Sequence, residues 1–243
     1  MDVGKSFSFP FEDKEWISKL GLGAVIAMVP ILNFAWSGYM VEIIRNVMNN
    51  VQEPLPNWDD IGKKFSNGLI LTLAGLVYSL PMLIVICLPL SIMVVPAILA
   101  GNGDMQDIAN AIAGAGSILF LCLLCVFFVY ALLLSVIYPA ILIIFVREGT
   151  FASCFKFREV FDLIGKNTSN FFTAWGVSVV ASLAVGFVVS IAQLVLNFIP
   201  CLGQIISLVL TIGIVVYTSA IYSHLFGQFG RSAFGQNQAM TPN

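Results

Sequence analysis

The sequence predicts an all-α integral membrane protein of six transmembrane helices, arranged as three hairpins, with interfacial amphipathic helices along its cytoplasmic face. Three observations predict it. Hydrophobic residues make up 59% of the chain and charged residues only 10%, where soluble domains carry about a quarter charged, and the mean hydropathy is +0.96. The apolar residues are gathered into long runs divided by short polar intervals. Ten of the eleven Lys and Arg fall within those intervals and the other, Arg45, stands at the end of an apolar run beside one, so three hairpins place every one of them on the same side.

Taken in order, Met1 to Lys19 mixes Phe9, Phe11, Trp16 and Ile17 with alternating charges. Residues 11–19 are expected to form a first interfacial helix, with Lys19 snorkelling toward the headgroups. No small-residue cleavage site follows the first apolar run, so the amino terminus is expected to stay with the mature protein. Leu20 to Ile44 is apolar but interrupted by Pro30 and Asn33, which predicts two short helices, Ile17 to Pro30 and Phe34 to Met48, turning at Ile31 to Asn33. At 1.5 Å per residue each covers about 22 Å of a hydrocarbon layer about 30 Å thick. The hairpin 17–48 therefore crosses twice with local thinning or is re-entrant, and one crossing of Leu20 to Ile44 is the competing reading.

Glu53 to Gly68, EPLPNWDDIGKKFSNG, is the longest polar interval of the first half. Asn57 as N-cap and Asp60 three residues later predict an interfacial helix over 57–67. Trp58, Ile61, Phe65 and Leu69 share its apolar face as membrane anchors. Asp59 and Asp60 face water or a partner, pairing at i,i+4 with Lys63 and Lys64 for about 0.3 kcal/mol each. The second hairpin, 68–146, holds a helix with Pro81, Pro89 and Pro96, a loop at Ala100 to Asn110 without Lys or Arg, and a long helix from Ile112. Arg147 to Asn170 repeats the interfacial design over 151–165: Phe157, Val160, Phe161 and Ile164 fall on one side, Arg158, Asp162 and Lys166 stand at i,i+4 spacing, and Gly165 is placed to end the helix.

In the third hairpin, 171–228, Ala174, Ser178, Ser182, Gly186 and Ser190 recur every fourth residue. Such a small-residue ridge lets another helix approach closely; a polar pathway is the alternative. Residues 1–231 are read as one membrane domain and 232–243 as a flexible tail. The positive-inside rule then puts both termini in the cytoplasm, and the localisation expected is the cytoplasmic membrane.

Reaction chemistry is sparse. His224 is the only histidine, and the five cysteines lie mostly inside apolar runs, where a free Cys behaves as a small hydrophobe. Cys122 and Cys125 have no second pair, which argues against a metal site, and no nucleophile elbow, zincin or phosphate-loop motif is present. No catalytic residue, metal or cofactor is expected. Glu42 and Arg45, at i,i+3, are the candidate intramembrane polar residues: a snorkelling pair at the boundary, or an acid on a proton or cation path. A net charge of -2 offers no field for nucleic acid. The partners expected are the lipid bilayer and other membrane proteins or further copies of the chain.

FPFEDKEWISKLGLG, VPILNFAWSGYMVEIIRNVMNN, EPLPNWDDIGKKFSNGL and IPCLGQIISLV together resemble the prokaryotic membrane family known as domain of unknown function 4013. The arrangement of Gly38, Tyr39 and Arg45 before Pro54, Leu55, Pro56, Trp58, Asp59 and Asp60 carries most of the likeness. The resemblance implies a bacterial or archaeal membrane protein and brings no catalytic residues with it. The functional expectation is a non-enzymatic scaffold, assembly factor or accessory subunit, with a transporter or channel for a small or lipidic solute as the alternative and an intramembrane enzyme third.

Overall fold

The computed structural model describes residues 1–99, 106–199 and 202–235. Their regular structure is helical throughout: α1 (Val3–Glu12), α2 (Trp16–Met28), α3 (Asn33–Met48), α4 (Ile61–Leu99), α5 (Gln106–Glu148), a 3-10 turn (Phe151–Phe155), α6 (Phe157–Lys166), α7 (Thr168–Leu196) and α8 (Leu202–Phe234). The heart of the expected loop at 100–105, the turn at 200–201 and the expected tail from 236 lie outside the described residues.

Among the described residues four segments are long and apolar enough to cross a membrane: Ile61–Cys87, Leu119–Glu148, Thr168–Leu196 and Leu202–Phe234. Their side chains point outward in a way water would not tolerate, with Leu183, Phe187 and Leu121 each more than two-thirds exposed. Lipid is the solvent in which such a surface costs nothing. At 13 and 16 residues, α2 and α3 are shorter than a span requires. Ala35, Tyr39, Val41, Ile43 and Ile44 of α3 are all fully buried, so this helix serves as core.

The chain divides into two compact units, residues 1–72 with 139–243, and residues 73–138. In the second, Tyr130 Oη donates to Tyr78 O at 2.8 Å, tying α5 to α4. Val85, Ile86, Phe120, Leu123, Leu124 and Phe127 there surround an apolar pocket of about 210 Å³.

In the first unit, Phe9, Leu20, Trp36, Tyr39, Ile43, Val47, Leu55, Val216 and Ala220 form one core cluster. It draws on α1, α2, α3, α8 and the segment before α4. Antiparallel packing of α7 on α8 is marked at one end by Phe171 against Phe229, ring centres 5.3 Å apart, and at the other by Gln193 Nε2 donating to Thr211 Oγ1 at 3.0 Å. α3 closes with Asn50 at φ 58, while Asn50 N–H reaches Val47 O and Val51 N–H reaches Asn46 O. That is the double bond pattern of a Schellman ending, at which Asn is among the few residues able to replace Gly.

Several expected boundaries move, each for a local reason. The interfacial helix 11–19 is two helices: the Asp13 carboxylate accepts the Glu15 N–H at 2.8 Å and breaks the chain between α1 and α2. The helix expected over 57–67 begins only at Ile61, because Leu55 and Pro56 are buried in chain without regular structure. Its cap is Asp60, whose Oδ1 accepts Lys63 N–H at 3.1 Å, rather than Asn57. Over 151–165 a 3-10 turn precedes α6, which runs past Gly165 to Lys166. The third hairpin starts earlier, at Thr168, and α8 continues to Phe234, since its polar last turns bury His224 and Gln228. Residues 232–234, expected in the tail, are thus helical.

Candidate functional site

The densest chemistry in the larger unit lies where α2, α3 and the start of α4 meet. It begins with two glycines. A Cβ on Gly38 would stand 1.7 Å from the backbone oxygen of Lys64, and one on Gly68 would stand 1.7 Å from that of Phe34. The backbones of α3 and α4 therefore touch, and this contact sets the position of the Lys64 side chain.

Lys64 Nζ lies 2.7 Å from Glu42 Oε2, with the lysine side chain 4% exposed and the glutamate 36%. Glu42 is thus paired with Lys64 and not with Arg45. The Arg45 guanidinium donates through Nη2 to Val146 O at 3.3 Å, fastening α3 to the end of α5. The i,i+4 pairs expected of Asp59 with Lys63 and Asp60 with Lys64 do not form; Asp59 is exposed and Asp60 serves as the cap.

Trp58 is not on a helix, and its side chain is partly buried. Its ring stacks on Tyr39 at 4.6 Å and 14°, Tyr39 stacks on Trp36 at 5.1 Å, and Trp58 Nε1 donates to Lys19 O at 2.9 Å. The partly buried indole is thus packed against α3 and bonded to α2. Ile61 is exposed, Phe65 packs edge-on to Phe34 at 5.7 Å, and Trp16 packs edge-on to Phe11 at 5.0 Å.

The loop before α4 is fixed by side chains from elsewhere. Asn46 Nδ2 donates to Pro54 O at 3.1 Å and Lys19 Nζ to Leu55 O at 3.3 Å. Lys19 also pairs with the buried carboxylate of Asp13 at 2.7 Å, so it does not snorkel. Sequence reasoning missed Asp13 and the Gly38–Gly68 contact; the regular spacing of residues within one helix carries no signal of such cross-helix partners.

Two further polar clusters lie in this unit. Ser6 Oγ is 2.9 Å from His224 Nδ1, while Gln228 Nε2 reaches the same nitrogen at 3.1 Å and Ser6 Oγ at 3.1 Å. A Ser–His contact is the form a nucleophile and base would take. Here the hydroxyl is fully buried inside the α1–α8 contact and shared with an amide, as a docking bond would be. Elsewhere, Arg147 joins Glu148 and Glu159, and Lys156 joins the same two carboxylates at 2.8 and 3.0 Å. Hydrogen bonds donated to Glu148 and Glu159 hold the Lys156 ammonium above its usual range.

On α6, Val160 and Leu163 are buried while Phe157 and Phe161 are 47% and 57% exposed, so half of its apolar face packs inward and half is offered to the surroundings. The expected pairs of Asp162 with Arg158 and Lys166 do not form. Along the ridge of α7, Ala174 and Ser178 are buried, and Ser182, Gly186 and Ser190 are exposed. The serine hydroxyls bond back to their own helix: Ser182 to Ser178 O at 2.7 Å and Ser190 to Gly186 O at 2.8 Å. A polar pathway would need them directed elsewhere.

The family model for DUF4013, described as a protein of unknown function, matches residues 22–194. The chain belongs to the DUF4013 family. Neither the curated proteins nor the solved structures yield a match. In this DUF4013 protein the residues that carry the likeness, the exposed Asp59 apart, contribute to the knot just described: Gly38, Tyr39, Arg45, Pro54, Leu55, Pro56, Trp58 and Asp60, as close contact, stacked ring, bonded or buried loop, or cap. They are accounted for by architecture.

The Glu42–Lys64 pair predicts an asymmetry. Glu42→Gln strands a buried ammonium and is expected to cost about 2 kcal/mol, the buried-pair penalty discounted for the exposure of Glu42. Lys64→Met leaves a carboxylate that water can reach and is expected to cost about 1 kcal/mol or less. Chemical denaturation in detergent checks this, and a Lys64→Met variant less stable than Glu42→Gln would contradict it.

Cys154 predicts a pH dependence. Burial pushes its thiol up to about 11 from 9.0, so the reactive thiolate is absent near neutrality. Alkylation of Cys154 at pH 8 is expected only after unfolding. The stabilisation from keeping this thiol neutral is present below pH 9.0 and lost as pH rises toward 11. Labelling of the folded protein at pH 8 at the rate of a free thiol would refute the assignment.

Proposed function

We propose that this DUF4013 protein is a non-enzymatic membrane scaffold or accessory subunit. In this reading it has six helices in three hairpins, with α4–α5 and α7–α8 crossing a prokaryotic cytoplasmic membrane and the short α2–α3 pair re-entrant. Both termini lie on the cytoplasmic side with all the Lys and Arg, as the positive-inside rule requires. The observation that carries the reading is the use to which the charges are put. Asp13–Lys19, Glu42–Lys64 and the Arg147–Glu148–Lys156–Glu159 network bind helix ends to one another, and residues 65–103, 108–146 and 167–230 contain no Asp, Glu, Lys or Arg. Catalysis or ion conduction needs ionisable groups directed at a substrate or along a path.

The exposed Phe157 and Phe161 of α6 are the surface assigned to the bilayer boundary or to a partner helix. A second reading, transport of a lipidic solute, draws on the apolar pocket at Val85 and Phe120. The two are separated by reconstitution into proteoliposomes and by photocrosslinking from positions 157 and 161 in native membranes. The scaffold reading expects a single stoichiometric crosslinked protein and no flux above protein-free vesicles. Solute flux that disappears in Glu42→Gln would overturn it.

A further inference from the structure

A groove of about 300 Å³ lies between the last turns of α5 and α8 and the polar side of α6, lined by Arg147, Glu159, Asp162, Lys166 and Phe234 among others. Its charges are of both signs. Arg147 is held in place by Glu148 and Glu159 at 3.3 and 3.2 Å through Nη2, with its guanidinium carbon 4.8 Å from the centre of the Phe234 ring. A guanidinium has five N–H donors, so those two contacts leave others for a ligand. Among the described residues the side chains of Asp162 and Lys166 make no ion pair or hydrogen bond, although they stand one helical turn apart.

The level of the groove is set by the spans. The α5 segment that can cross the membrane ends at Glu148 and that of α7 starts at Thr168, so the groove falls where the chain leaves the hydrocarbon. Phe161 and Phe172, both substantially exposed, stand on the two helices at this level, where aromatic rings favour the headgroup layer.

We propose that the groove binds the headgroup of a zwitterionic aminophospholipid, its phosphate on Arg147 and Lys166 and its primary ammonium on Asp162. The assignment rests on reading α5, α7 and α8 as membrane spans. Charge complementarity selects the class. An anionic headgroup without an amine would leave the Asp162 carboxylate with nothing to pair it, and a trimethylammonium has no N–H to donate to it.

The test uses the full chain, delipidated in a nonionic detergent, and short-chain phosphatidylethanolamine, phosphatidylcholine and phosphatidylglycerol, with binding read by native mass spectrometry. Phosphatidylethanolamine is expected to bind about tenfold more tightly than either of the others, the scale of one charge-assisted hydrogen bond. Asp162→Asn is expected to abolish its advantage over phosphatidylglycerol, and Lys166→Gln to weaken it about tenfold. Both residues are exposed, and unchanged melting of each variant shows that the fold is intact. Equal binding of the three lipids, or variants that bind like the parent, overturns the proposal. So does glycerophosphoethanolamine binding as tightly as the lipid, which assigns the groove to a soluble phosphate. Flux in proteoliposomes would overturn the scaffold reading and leave these affinities as they are, so the two fail separately.

Discussion

Gly38→Ala and Gly68→Ala are each expected to destabilise the detergent-solubilised protein by about 3 kcal/mol or more, at the upper end of overpacking. Alanine improves intrinsic helix propensity by about 1 kcal/mol over glycine, so an isolated helix would gain. The loss comes from the partner helix. Each new methyl would stand 1.7 Å from a carbonyl oxygen of the facing backbone, and no rotamer change relieves a clash with main chain. α3 and α4 must separate, which draws Lys64 away from Glu42 and opens the contact between Tyr39 and Trp58. Gly176 and Gly186 of α7 are the controls: nothing lies within 4 Å of a Cβ at either position, so alanine there is expected to be neutral or slightly stabilising. Thermal unfolding followed by circular dichroism, with Cys154 alkylation as a second probe, measures all four. Wild-type stability in Gly38→Ala would mean that the helices do not touch as described.

Trp58→Ala should be nearly as damaging, by about 3–5 kcal/mol, the range for removing a packed aromatic. A tryptophan anchored only in the bilayer boundary would lose little stability on truncation. One stacked at 4.6 Å on a fully buried Tyr39 leaves a cavity between α3 and the chain leading to α4. Trp58→Phe keeps a ring in the stack and loses the bond from Nε1 to Lys19 O, so about 1 kcal/mol is expected. Denaturant midpoints for the two variants give the ratio. If Trp58→Ala and Trp58→Phe have the same small effect, the ring is at the lipid surface and the knot is misassigned.

Composition and run length made the helical membrane class legible, because lipid exposure requires apolar residues on every face of a span and such runs admit little else. The α2–α3 turn was legible from Pro30 and Asn33. Partners across helices were not. Glu42 has Arg45 at i+3 and Lys64 twenty-two residues on; the nearer cation satisfied the local rule, while the Gly38–Gly68 contact brought the distant one to 2.7 Å. Asn57 satisfies the N-cap rule and so places Trp58 on a helix face, but Leu55 and Pro56 are buried in irregular chain and the cap is Asp60. Periodicity puts Phe157, Val160, Phe161 and Ile164 on one side of α6, yet it gives no sign that Val160 and Leu163 pack inward while Phe157 and Phe161 remain outside. The small ridge of α7 likewise gave no sign that only Ala174 and Ser178 would be buried.

In the proposed topology the polar segments of this DUF4013 protein gather on one face of the membrane and hold its spans together there. Single cysteines placed in a cysteine-free background at four exposed positions, Lys14→Cys, Lys63→Cys, Arg158→Cys and Ser232→Cys, test it most directly. Labelling with a membrane-impermeant maleimide is compared between right-side-out and inverted vesicles. All four are expected to react from the cytoplasmic side alone; reaction of any one of them from the opposite side would mean that the polar segments are divided between the two faces.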